Sequence, residues 1–348
     1  MYIRCALHLQ DIESIADFYT PRNLHALALL WQEIMSINDE RVRRALAFAF
    51  TNTAWHGTRM RRFNARGGQR PLTGTLYIPQ LSSEANVLEV MRNKIAQLER
   101  YYRSYQPHGD EAPALTLGSA TDLSGIADGS IDYIFTDPPF GSNIFYSDCN
   151  LIWESWLGRL TDGTREAVVN RSLSIEKGGK SLSDYAALIN GAMREMARVL
   201  KPQGWATVVF HNTDAEVWEA IRKAASDAGF TFHEAASLDR RQQSHKGYKG
   251  RSGEEDVAHF DVVFNLRKSA TTVSTQADAS GNLPLDLAAM VGTVMEDHDV
   301  AQRGLQGVHA EVMRRLASSG SQVFVDYAQV RAIFERLVKR SKKPLQTN

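Results

Sequence analysis

Two consecutive prolines, Pro138 and Pro139, fix the point at which an apolar strand must stop. The run Ile131-Asp132-Tyr133-Ile134-Phe135-Thr136 leads directly into Asp137-Pro138-Pro139-Phe140. Proline locks φ and offers no N–H, so neither a helix nor a paired central strand can continue through the pair. Around this point strand and helix periods alternate. Ala114 to Leu117 reads as a short strand and Ile131 to Thr136 as a second. Helices follow at 147 to 158 and 183 to 200, then a turn at Lys201-Pro202-Gln203-Gly204 and a buried strand from Trp205 to Phe210. A helix near 214 to 228 precedes a closing strand pair, Phe230 to Ser237 and His259 to Leu266. This alternation is the α/β signature. Open α/β sheets hold their ligands at the carboxyl ends of strands, which is where Asp137 to Phe140 fall.

The flanks have a different character. Residues 1 to 113 form a helical region, with Thr20 as N-cap and Pro21 in the first turn of a helix carrying Leu24, Leu27, Ala28, Trp31 and Ile34 at helical spacing. A second helix repeats the pattern at Val42, Ala45, Leu46 and Ala49, and a third spans 84 to 105. Between them Arg59, Arg61, Arg62, Arg66 and Arg70 follow one another with no acidic residue among them, as a phosphate-contacting loop would. Residues 114 to 267 are the α/β domain, 268 to 283 a Ser/Thr/Ala/Gly-rich linker, and 284 to 348 a helical extension. With 40 basic and 40 acidic residues the chain has no net charge, so a polyanionic partner must be met by local clusters. Two cysteines, Cys5 and Cys149, give neither a disulfide framework nor metal spacing, and no metal is expected. No apolar run approaches the ~18 residues of a membrane span, so a soluble, cytoplasmic protein is expected.

Asp137 to Phe140 resembles the (Asp/Asn)-Pro-Pro-(Tyr/Phe/Trp) motif of the amino-methyltransferases that methylate exocyclic base amines in DNA. The likeness extends over Leu117 to Leu123, Asp128 to Asp132 and Asn143 to Asp148, which are similar to the large bacterial and archaeal adenine-specific DNA methylases. Phe18-Tyr19-Thr20-Pro21-Arg22-Asn23-Leu24 is similar to a Phe-Thr-Pro-Arg-Gln-Leu element of the same proteins. The resemblance implies a partial Rossmann-like methyltransferase sheet, S-adenosylmethionine as cofactor and DNA as substrate, in restriction-modification or phage defence. It favours adenine N6 over cytosine N4, because the cytosine enzymes commonly carry Ser where Asp137 stands.

The chemistry fits the residues. A base amine is a poor nucleophile because its lone pair is delocalised into the ring. The Asp137 carboxylate and the Pro138 carbonyl can each accept one N–H and draw the nitrogen toward sp3 geometry. Pro139 stiffens the acceptors, and Phe140 offers a surface for a base turned out of the stack. Attack on the methyl group is then direct, with no covalent enzyme intermediate.

The same resemblance implies Gly118, Ser119 and Asp122 as contacts to the cofactor's adenine, although the family often has Asp at position 119, and Thr20 and Arg22 as further cofactor contacts. Asn143 and Tyr146 would shape the base pocket, and His211-Asn212 closes the neighbouring strand on the same side. The connection carrying Arg240, Arg241, Lys246, Lys249 and Arg251 with Tyr248 has the parts for phosphate contact and groove probing.

One element is missing. Enzymes of this kind need an Asp-Pro-Phe-x-Gly-x-Gly turn after the first strand of the sheet, so that backbone approaches the methionine part of the cofactor. No such turn occurs; Glu176 to Ser181 has Ser174 where a phosphate loop would begin with glycine and no strand before it. The expectation is a protein partner that supplies the Gly-rich cofactor motif beside the strand of Asp137. Alternatives are a non-catalytic DNA-binding or assembly subunit with a degenerate fold, and methylation of RNA or of a protein amide.

Overall fold

The computed structural model describes residues 11–71, 76–105, 113–142, 144–171, 173–210, 212, 215–239, 260–269, 286–298, 300, 304–318, 325 and 327–341. The chain forms two compact units. One comprises Met1–Thr116 with Ile144–Glu166, the other Leu117–Asn143 with Ala167–Asn348.

The first unit is helical: α1 (Pro21–Ser36), α2 (Glu40–His56), α3 (Val87–Ser104) and α4 (Tyr146–Leu157). Thr20 caps α1 by accepting from the Asn23 amide, with Pro21 in the first turn as the sequence predicts; Asp39 and Asn86 cap α2 and α3 in the same way. The apolar stripes converge on Leu27, Phe50, Met91 and Ile152, all buried. Trp31, Phe50 and Trp156 meet at angles among them, with the Phe50 and Trp156 rings 5.1 Å apart. The buried Asn23 satisfies its amide by donating to the carbonyls of Gly57 and Ala85, which ties α1 to the chain leaving α2 and the chain entering α3. No side chain at position 145 caps α4; instead the Glu166 carboxylate accepts from the amides of Tyr146 and Ser147.

The second unit is built on a four-stranded mixed sheet in the order β1-β2-β4-β3, where β1 is Ile131–Thr136, β2 Leu200–Phe210, β3 Phe230–Asp239 and β4 Phe260–Lys268. β1 and β2 are parallel and the other pairs antiparallel. The register sets one row of Ile134, Ala206 and Leu266 beside another of Thr136, Val208 and Phe264. Ala206, Val208, Phe264 and Leu266 from these rows are almost fully buried. Against this core pack α5 (Leu182–Val199) and α6 (Ala215–Asp227), and with them α7 (Leu287–Met295), α8 (Gly304–Ser318) and α9 (Tyr327–Ser341), whose Val291, Val312 and Val330 join the same cluster. The alternate rows carry Tyr133, Phe135 and Trp205, which remain exposed. Across them runs a polar line in which the Tyr133 hydroxyl donates to Thr207 and the Thr207 hydroxyl to Asn265.

Two local readings change. Ala114 to Leu117 is not a strand: the segment pairs with no strand among the described residues, and Leu115 and Leu117 are 92% and 86% exposed. Lys201 to Gly204 is not a turn ahead of a strand but a bulge within β2. Ile131 pairs with Leu200 and Tyr133 with Trp205, so the residues between are extra. Gln203 takes φ 60°, and a Cβ on Gly204 would lie 2.7 Å from Leu200, which is why a glycine stands there.

Candidate active site

The parallel pairing of β1 and β2 brings their carboxyl ends together, and the segments leaving both ends are tied to one another. Three successive carbonyls in the motif have different fates. That of Pro139 accepts from the Tyr185 hydroxyl at 2.7 Å, and that of Phe140 from the Asn212 amide at 2.9 Å. The Pro138 carbonyl has no donor among the described residues, and it stands beside Asp137, whose residue is exposed. Two prolines and two side-chain bonds thus hold the backbone around one open acceptor.

Phe140 is half-buried. Its ring meets Phe210 edge-on at 5.3 Å, Phe210 meets Trp218 at 4.8 Å, and Trp218 meets Phe264 at 5.5 Å, a chain of aromatic contacts that anchors the motif to the core. The Trp218 indole also donates to the Asn212 carbonyl. Gly141, with φ 74°, lets the chain turn away where a Cβ would lie 3.1 Å from the Asn212 amide nitrogen.

Tyr185 and Asn212 are therefore the positioning residues of the motif. Tyr185 carried no signal beyond being one apolar position in the stripe of α5, since a periodicity does not say which carbonyl a hydroxyl will meet. Burial raises its phenol far above the ordinary range, so it stays a neutral donor. Tyr185→Phe would leave the Pro139 carbonyl without its donor, which costs about 1–3 kcal/mol in a buried site. The expected result is a lower urea midpoint together with a fall in kcat larger than any change in KM; unchanged stability and turnover would remove Tyr185 from this role.

The segment holding Gly118, Ser119 and Asp122 is a turn clamped to α5. The Ser119 carbonyl accepts from the Asp122 amide, and the Asp122 carboxylate accepts from the Ser124 amide. The Leu123 amide donates to Glu195 at 2.7 Å, while Arg198 pairs with Glu195 and Asp128 and donates to the carbonyls of Leu123 and Ile126. Gly118 has open space where a Cβ would stand, and Asp122 is exposed. Such a turn offers open backbone and a carboxylate, but it is no cradle for the methionine half of a cofactor.

Arg198, and then the Leu123 amide, hold the Glu195 carboxyl down at about 2 from an ordinary 4.5. Because the folded value is depressed, the clamp's contribution is complete above pH 4.5 and is lost as pH falls through about 2. The Leu123 amide chemical shift should accordingly be flat above pH 4.5 and titrate with a midpoint near 2; a midpoint at the ordinary value would show that the clamp does not form in solution.

The other sequence-derived residues are distributed as follows. Thr20 and Arg22 lie in the first unit and converge on Glu84, to which both donate, lowering its carboxyl below the usual range. Tyr146 opens α4, also in the first unit. Asn143, His211 and the connection with Arg240, Arg241, Lys246, Lys249 and Arg251 lie outside the described residues, as do residues 270–283 of the linker. No described helix is long and apolar enough to cross a membrane.

No protein-family model matches the chain, and no curated protein matches its sequence. Several solved structures align with parts of it. A Thermus thermophilus protein named as a DNA modification methylase, crystallised with S-adenosyl-L-methionine, aligns at 14% identity over 44% of this chain and 55% of its own, with a TM-score of 0.28. The PvuII DNA methyltransferase, described as cytosine-N4-specific, aligns at 11% identity over 64% of this chain and 91% of its own, with a TM-score of 0.31. A Methanosarcina mazei SAM-dependent methyltransferase aligns at 13% identity over 51% and 79%, with a TM-score of 0.26. The chain spans about half the length of the Thermus protein. Likeness of this degree assigns neither cofactor nor substrate.

Proposed function

We propose that the chain carries the catalytic acceptors of a DNA methyltransferase acting on an exocyclic base amine, adenine N6, with S-adenosylmethionine as the methyl donor. The observation that carries the reading is the open Pro138 carbonyl beside Asp137, in a backbone whose next two carbonyls are already engaged by Tyr185 and Asn212. A primary amine bound there gives one N–H to the carboxylate and one to the carbonyl. Both bonds strengthen as positive charge develops on nitrogen, so they stabilise the transition state more than the bound substrate. Phe140 would hold the base plane from the side opposite its contact with Phe210. The cofactor's contribution, when bound, is an electrophilic methyl group on sulfonium.

The Gly118 to Asp122 turn supplies part of a cofactor site. In this reading the Gly-rich remainder comes from a protein segment outside these 348 residues, paired along the edge of β1 that is free among the described residues, where Tyr133 and Phe135 are 54% and 65% exposed. An unpaired edge flanked by exposed aromatic side chains is what such a strand would cover. Arg240, Arg241, Lys246, Lys249 and Arg251 would contact DNA phosphates, and a modification or defence system is the setting in which this activity belongs. The test is nucleoside analysis of DNA after incubation with the assembled enzyme and methyl-labelled S-adenosylmethionine. Label in N6-methyladenosine is expected; label confined to N4-methylcytidine would overturn the base assignment, and label in RNA or protein alone would overturn the substrate class.

A further inference from the structure

The helical first unit carries a groove between α2 and α3 that the motif does not use. Phe48, Asn52 and His56 recur every four residues along one face of α2, opposite Val90, Lys94 and Leu98 of α3. At one end is a cavity of about 270 Å³ lined by two cations, Arg61 and Lys94, and by the carboxamides of Asn52, Gln69, Asn93 and Gln97. No carboxylate is among its described lining residues, and the Gln69 amide, donating to the Asn64 carbonyl, keeps the cationic loop folded against it. The Arg61 Nε is buried and has no hydrogen-bond partner among the described residues. A buried guanidinium N–H left unpaired is costly, so this nitrogen calls for an acceptor. Burial, followed by the charges of Arg61 and Lys94, lowers the pKa of His56 on the same wall.

At the other end the groove widens into a trough of about 690 Å³ whose apolar lining includes Val42, Leu46, Phe48, Ile95 and Leu98, with Arg41, Arg44 and Glu99 as its charged groups. Lys94 joins the two parts, its Nζ standing 5.8 Å from the centre of the Phe48 ring. Phe48 is 60% exposed and Tyr102, at the far rim, 57%.

We propose that this groove binds a single-stranded nucleic-acid segment, with a backbone phosphate in the Arg61–Lys94 cavity and a base against Phe48 at the mouth of the trough. A cavity that offers cations and amides but no carboxylate matches an oxyanion with several acceptor oxygens. An exposed aromatic ring within reach of the same lysine matches the π-face of a base joined to that phosphate. In a duplex those faces are stacked on their neighbours, so the strand must be single. An acidic amphipathic peptide could fill the trough, but it would bring no flat ring to Phe48. The site shares no residue with the motif, so the inference stands whether or not Asp137 is catalytic.

Fluorescence anisotropy of the full chain with a labelled oligothymidylate, and with a duplex of the same length, tests it. The single strand should bind more tightly, and Arg61→Gln with Lys94→Gln should reduce the slope of log affinity against log salt by about 0.7, the value for the one phosphate the two cations neutralise. Phe48→Ala should weaken binding about tenfold by removing the stacking surface, while Lys94→Arg should restore the slope lost in Lys94→Gln. If Arg61→Gln fails to fold, Lys94→Gln alone decides, with a slope reduced by part of that amount. An unchanged slope in the charge variants, equal affinity for the duplex, or displacement of the oligonucleotide by a polyglutamate peptide at equal charge would each overturn the proposal.

Discussion

Asp137→Ala should abolish methyl transfer, lowering kcat by on the order of 100-fold or more, while leaving the fold and DNA affinity intact. The size of the effect follows from when the carboxylate works. Its hydrogen bond to the amine is modest while the nitrogen lone pair is delocalised into the ring, and becomes strong as that nitrogen takes on positive charge. The loss therefore falls on kcat rather than KM. Little destabilisation is expected, because residue 137 is exposed and the motif is held by other groups: Tyr185 on the Pro139 carbonyl, Asn212 on the Phe140 carbonyl, and Phe140 against Phe210. Turnover must be measured in the assembly that is active with the wild-type chain, with the thermal midpoint of each protein alongside. Near-wild-type turnover in Asp137→Ala would mean that the motif is only the end of a strand. Asp137→Asn separates charge from hydrogen bonding: an amide that keeps its oxygen toward the amine should retain more activity than alanine, though less than the carboxylate.

The motif was legible because its local chemistry is restrictive. Two prolines after an apolar run can end a strand and do little else, and the strand does end at Thr136. Thr20 and Pro21 likewise announced the start of α1, because capping is settled within one turn of the chain. The closing pair of β3 and β4 followed from composition and period alone. What sequence could not show was pairing across distance. Ala114 to Leu117 has a strand's composition, but a strand requires a partner, and the segment pairs with none of the described strands. The helix of Ile152 and Trp156 lies in sequence between two pieces of the sheet-bearing unit, yet its buried stripe completes the aromatic cluster of α1 and α2. An amphipathic period reveals that a face is buried without revealing what covers it. For the same reason Tyr185 was silent in sequence, and Asn212 stood out only as the end of the neighbouring strand, although the two decide which carbonyl of the motif stays open. The groove of α2 and α3 was half legible: the arginine-rich loop stood out, while its apposition to the amides of Asn52 on α2 and of Asn93 and Gln97 on α3 is a tertiary contact that no local pattern reveals.

The free edge of β1 joins the site to the remaining requirement of the chemistry. Asp137 sits at the end of a strand with one neighbour among the described residues, and the turn at Gly118 to Asp122 is held by Arg198 and Glu195 in a form that offers open backbone without a glycine-rich cradle. If the acceptors for the amine reside here and the cradle for the methionine half of the cofactor resides elsewhere, the 348 residues should hold S-adenosylmethionine poorly by themselves. The most direct measurement is a calorimetric titration of S-adenosylmethionine into the purified chain. The expected outcome is no saturable heat below about 1 mM, equivalent to less than about 4 kcal/mol of binding free energy. Tight, stoichiometric binding by the chain alone would contradict it, and would place a complete cofactor site within residues 1 to 348.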